Sequence, residues 1–298
     1  MDYITYSRKF QGYKWFKPFL EILLSVLFWG LATILCLIIS MLIAVSSGTD
    51  VTAFIDAAKK SYDSFDAYSL QGAIFSLGSI ACLVPAVAFA TKIVKGRPFH
   101  SVASSCGGFD FGIFGKAMIT ALILIGIPVA VSTVVKFGNT GVTKFTVLGF
   151  IACIILGPLQ CAGEEFLFRG VMLQGIGSWV KRPLLAIALQ SILFAAGHPY
   201  NIWGFLEVLC SGLILGYLVY RTRGLEASCA AHIVNNMVLF ILNGFGFESI
   251  SSNGTVPADV LLDVAINGLF LVCIIFAGKK YNWFNRTPKE TDVTDAIM

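Results

Sequence analysis

Long apolar stretches alternate with short polar ones along this chain, and their spacing predicts eight helices, at about 19–45, 72–93, 115–135, 144–180, 184–198, 203–220, 225–242 and 260–276. A bilayer's hydrocarbon core takes ~20 apolar residues of helix, and most of the runs come close to that. The fifth and sixth are short. Lys181-Arg182-Pro183 must end the fourth helix, because proline steers the residue before it away from helical geometry. Pro199 stops the fifth. Between the runs, 55–68 reads as a short surface helix, Gly138-Asn139-Thr140-Gly141 as a turn, and 244–257 as a Gly- and Ser-rich loop. The run at 19–45 is too long for a signal-peptide core and lacks a good cleavage site after it, so it is expected to be a helix of the working protein.

Composition agrees with this pattern. Hydrophobic residues make up 57% of the chain and charged residues 13%, where soluble domains average about 25% charged. The expected fold class is all-α: a polytopic membrane protein of about eight transmembrane helices, in contact with the lipid bilayer. Residues 1–18 alternate basic and aromatic positions and read as a cytoplasmic interfacial segment. Residues 19–278 form the membrane domain, with the chemistry concentrated in 145–245, and 279–298 form a cytoplasmic tail. With the N-terminus inside, sixteen basic residues fall in inside segments and four (Lys59, Lys60, Lys136 and Lys144) in outside ones. That is a strong positive-inside bias, with both termini cytoplasmic. The eight cysteines lie mostly in apolar runs with no CxxC, which argues against a disulfide framework. No basic patch is interleaved with exposed aromatics, so nucleic acid is not expected as a partner.

One of the apolar runs carries charge. Glu164, Glu165 and Arg169 lie in the fourth, where each charge costs about 2.5–3.5 kcal/mol at the centre of a span. Such a cluster must face protein or a wet cavity. Glu165 and Arg169, four apart, share a helix face and can pair. Glu164 is turned roughly 100° away and has no partner within its own helix. A carboxylate in that position can serve as a general base.

Two histidines join it at span depth. Phe194 and His198 share a face of the fifth helix, and His232 and Asn236 a face of the seventh. Counted from the turn at Val180 and Lys181, Glu164 and His198 reach the same height in an antiparallel hairpin, about 24–26 Å from it. His232 lies only ~12 Å from the turn before its own helix, so the hairpin is expected to project beyond the membrane. His100, beside Lys95 and Arg97, reads as a solvated loop residue, and Gln160, Gln174, Gln190, Asn235, Asn243 and Asn267 as interhelical hydrogen-bonding residues.

In order and in apolar helices, Glu164-Glu165-x-x-x-Arg169, Phe194-x-x-x-His198 and His232-x-x-x-Asn236 resemble the three motifs of the CPBP intramembrane proteases. That family includes CAAX prenyl endopeptidases and the bacteriocin-immunity (Abi) proteins. The resemblance implies an eight-helix protease of a bacterial cell membrane, its active site inside the helix bundle and open to the cytoplasm. Its substrates would be membrane-associated, CAAX-like proteins or peptides. It also implies Glu164 and His198 as the water-activating pair, His232 and Asn236 as oxyanion donors, and support from Glu165 and Arg169. Phe194 would keep the pocket dry. Peptide hydrolysis needs these parts: a base, worth ~10²–10⁴ in rate, and donors worth about 2.7–4 kcal/mol each.

Two histidines and a glutamate can also hold a catalytic zinc, through His198, His232 and Glu164. The absence of HExxH, and of a carboxylate next to either histidine in sequence, favours hydrolysis without a metal cofactor. Two other classes compete. A proton- or ion-coupled transporter would carry repeated halves and interrupted helices, and none is visible. A silent binding or immunity scaffold would show motif losses, whereas every motif position is filled.

Overall fold

The computed structural model describes residues 2–48, 52, 55, 56, 67–247 and 254–286. Eight long helices follow one another: α1 (Lys17–Ser46), α2 (Leu70–Val94), α3 (Phe111–Lys136), α4 (Val147–Val180), α5 (Pro183–Ala196), α6 (Ile202–Thr222), α7 (Glu226–Gly244) and α8 (Pro257–Lys280). Among the described residues there is no strand, only two isolated bridges, Ser104 with Gly224 and Asn139 with Phe247. The fold is the expected all-helical one, and the chain is a polytopic integral membrane protein. The surface helix expected at 55–68 lies largely outside the described residues.

Seven of the eight helices are long and apolar enough to cross a membrane. The exception is α5, expected to be short: it has 14 residues, or about 21 Å, less than the ~30 Å of hydrocarbon. An irregular stretch, 197–201, follows it and leads into α6. Asn201 there caps α6 by accepting from the Gly204 amide at 2.8 Å, and its side-chain amide donates to the Thr255 carbonyl just before α8.

Local signals set the helix ends. Ser69, Asp110 and Thr146 accept main-chain N–H groups at the starts of α2, α3 and α4. Lys181 (φ 54°) and Arg223 (φ 63°) end α4 and α6 in left-handed geometry. Leucine, isoleucine and valine side chains on α1, α3 and α8 stay exposed, as a lipid-facing surface requires. The buried core runs through α2, α4, α5 and α7. Gly163 lets α4 touch α2: a Cβ there would lie 2.6 Å from the Ile80 carbonyl oxygen.

Both described termini reach one end of the bundle. Tyr3 bonds the loop at Val102, while Arg286 reaches Gly108 and Glu226. The opposite end gathers Tyr68, 139–146 and Gly244–Phe247. The α4–α5 hairpin projects at the terminal end. Gly170 meets Leu225, the residue before α7, so the ten residues on to Val180 extend ~15 Å past the start of α7.

Candidate active site

The acidic motif does not sit in a regular α-helix. α4 is α-helical through Glu164, π-helical over Glu165–Met172, and α-helical again from Leu173. A π-turn bonds i to i+5, which widens the helix, and such turns collect at functional sites. Glu165 and Arg169 nevertheless pair as their spacing predicts, Oε1 to Nη1 at 3.0 Å, both side chains fully buried. The Arg169 guanidinium also lies 4.0 Å from the centroid of the Phe194 ring, a cation–π contact.

Glu164 has a partner after all. His232 of α7 stands between the two acids, with Nδ1 2.9 Å from Glu165 Oε1 and Nε2 3.3 Å from Glu164 Oε2. The side chains of His232 and Glu164 are 10% and 12% exposed, so the unit is nearly dry, with a small opening at both. Glu165 accepts the Nδ1 proton, which fixes the ring's orientation as carboxylate–histidine pairs do. Nε2, on the other side of the ring, faces the Glu164 carboxylate. Arg169, Glu165, His232 and Glu164 thus form one alternating chain of charge-bearing groups.

The remaining motif residues stand around this chain without joining it by hydrogen bonds. His198, half-buried just past the end of α5, places Nδ1 2.9 Å from the Phe194 carbonyl oxygen. That oxygen only accepts, so Nδ1 carries the hydrogen, and in the neutral ring Nε2 is the acceptor. His198 packs on Phe194 (4.9 Å between ring centroids), and Phe194 packs edge-on to His232 (6.3 Å). Among the described residues no hydrogen bond links His198 to Glu164. Asn236, one turn beyond His232, is half-buried; its Oδ1 accepts from Asn235 at 3.2 Å, and it lies within reach of the Cys161 thiol. Among the described residues no group of three or more His, Cys, Asp or Glu side chains converges as a metal site, and Glu165 is already committed to a guanidinium. Among the described residues, Glu164, His198 and His232 are not drawn together as one ligand set.

Two further buried charge networks lie at the terminal end. Glu21 of α1 and Arg97 pair with both carboxylate oxygens within 3.1 Å of the guanidinium. Arg97 also donates to Gln174 of α4, whose amide donates to the Ser101 carbonyl at 3.0 Å. Glu226 of α7 accepts from Arg286 at 3.0 Å and from the Asp110 amide at 2.9 Å. A carboxylate inside the first apolar run was the signal for Glu21. His100, expected to be solvated, instead begins a short helix and is half-buried.

Residues 143–238 match the family described as Rce1-like, type II CAAX prenyl endopeptidase Rce1-like. The chain is also 26% identical over 228 residues to the uncharacterized protein YyaK of Bacillus subtilis, covering 69% of this chain and 73% of that protein. No solved structure matches. The matched stretch contains all three motifs, and the findings support the resemblance to the CPBP family drawn from them.

Proposed function

We propose that this Rce1-like chain is an intramembrane endopeptidase that uses Glu164 to activate water against peptide bonds of membrane-associated proteins or peptides. The observation that carries this reading is the chain Arg169–Glu165–His232–Glu164, fully buried at Arg169 and Glu165 and slightly open to solvent at His232 and Glu164. In the proposed step Glu164 takes a proton from water, and the resulting hydroxide adds to the scissile carbonyl carbon. The protonated His232 and the Asn236 amide stabilise the oxyanion, each donor being worth about 2.7–4 kcal/mol. Glu164 then returns its proton to the leaving nitrogen as the C–N bond breaks. His198 offers the lone pair of Nε2 to the same water. No metal is needed for any of these transfers.

The family's description supplies one candidate substrate class, the C-terminal CAAX segment of a prenylated protein. The positive-inside bias puts the terminal end, and with it both termini and the α4–α5 hairpin, on the cytoplasmic side. A bacterial cell membrane is the setting we assign, the relative YyaK being a protein of Bacillus subtilis. The test is to compare peptides released in membranes holding the intact chain with those in membranes holding Glu164→Gln. Products present with the first and missing with the second support the proposal; identical peptide sets would refute it.

A further inference from the structure

The first residues of the chain are not a loose interfacial strap. Tyr3 and Ile4 are fully buried, and Tyr6 and Phe10 nearly so. The Tyr3 hydroxyl donates to the Val102 carbonyl at 2.7 Å and lies 3.2 Å from the carbonyl of Arg169, inside the π-helical turn. Gln174, in the next turn of α4, donates toward the same Val102 carbonyl and accepts from Arg97. Burial pushes the Tyr3 phenol well up from its usual range, so the hydroxyl remains a donor.

Small residues make the fit close. A Cβ on Gly177 of α4 would fall 2.1 Å from Ile4 Cγ2 and 2.4 Å from the Ile4 carbonyl oxygen. A Cβ on Gly12 would fall 2.6 Å from the Lys95 carbonyl oxygen, and one on Gly170 would fall 2.5 Å from Val102 Cγ1. The far end of the segment is tied as well: the Trp15 carbonyl accepts from the Trp179 indole at 2.7 Å, and Lys17 donates to the Lys95 carbonyl at 2.9 Å.

We propose that residues 2–17 are a latch that holds the π-helical turn of α4 in register, with Tyr3 as a positioning residue acting through the main chain of Arg169. The physical reason lies in that turn. π-geometry is a high-energy form of helix, kept where its surroundings over-determine it. Here Val102 packs on one side of Gly170, and Tyr3 bonds the carbonyl of the residue before it. The same turn carries Glu165 and Arg169, so its register decides where Glu165 meets His232. Loosening the latch shifts the group that orients His232 without touching substrate. The kinetic part of this inference rests on the proposed hydrolysis; the structural part stands apart from it.

The experiment uses the full chain in lipid nanodiscs as wild type, Tyr3→Phe, Gly177→Ala and the surface control Lys9→Ala. Tyr3→Phe removes one oxygen and keeps the packing; Gly177→Ala expels Ile4 and keeps the hydroxyl. Amide hydrogen exchange of residues 165–174 should speed up by about tenfold in both, while 257–280 stays unchanged. In the cleavage assay both should show kcat lower by about three- to tenfold with KM unaltered. Lys9→Ala should match wild type in both measurements. Unchanged exchange over 165–174 would overturn the latch, whatever the activity. Faster exchange there with unchanged kcat would overturn Tyr3 as a positioning residue. A wild-type chain with no cleavage at all would instead count against the proposed hydrolysis and leave the exchange result to decide the latch.

Discussion

Removing the Arg169 guanidinium is the sharpest test of how the buried charges hold together. In Arg169→Ala, Glu165 keeps His232 Nδ1 at 2.9 Å but loses its neutralising cation in a site with no solvent contact. Breaking a buried pair from one side costs about 3–5 kcal/mol, because the remaining charge is stranded. The lost cation–π contact with Phe194 adds up to about 2 kcal/mol more. Against a typical total stability of about 5–15 kcal/mol, this is enough to deplete the folded protein. The double variant Glu165→Gln/Arg169→Met removes both charges and keeps comparable volume, so it should recover most of the loss. Its His232, no longer held by a carboxylate, should remain impaired in turnover. The assay is the midpoint of thermal aggregation in detergent, with the monodisperse fraction measured by size exclusion. An Arg169→Ala chain as stable as wild type would refute the reasoning. So would a double variant less stable than Arg169→Ala, since the penalty would then not come from stranded charge.

The second buried pair gives a parallel expectation. Arg97→Ala should strand Glu21 and cost about 3–5 kcal/mol, read as a drop in thermal midpoint that Glu21→Gln in the same chain partly restores. Asn236→Ala should leave folded yield unchanged and lower kcat/KM by the equivalent of about 2.7–4 kcal/mol, measured on purified protein with an identified substrate. For topology, an impermeant thiol reagent should label Val142→Cys from outside intact cells, and Arg182→Cys only after permeabilisation.

Which parts of this were legible in the sequence follows from the range of the interactions involved. Helix positions depend on local apolar periodicity and on stops such as Pro183 and Pro199, and all eight appear where the pattern puts them. The Glu165–Arg169 pair is also local, four residues apart, and it survives even the change from α to π geometry. The π-turn was hidden, because its register depends on packing by Val102 and Leu225 against Gly170. Glu164 looked unpartnered for a related reason: its partner His232 arrives on another helix, and no periodicity reports that contact. Arg97 read as a loop cation, although the carboxylate it meets, Glu21, lies in the first apolar run. The interfacial reading of residues 1–18 weighed their charge and missed the glycines at 12 and 177, which allow so close an approach.

The central claim is that Glu164 activates water for peptide hydrolysis. Its most direct test is cleavage of an identified substrate in water enriched in oxygen-18. Wild-type protein should place one heavy oxygen in the new C-terminal carboxylate, and Glu164→Gln should slow its appearance by at least about a hundredfold with folded yield intact. A product without solvent oxygen, or labelled product formed by Glu164→Gln at the wild-type rate, would contradict the claim.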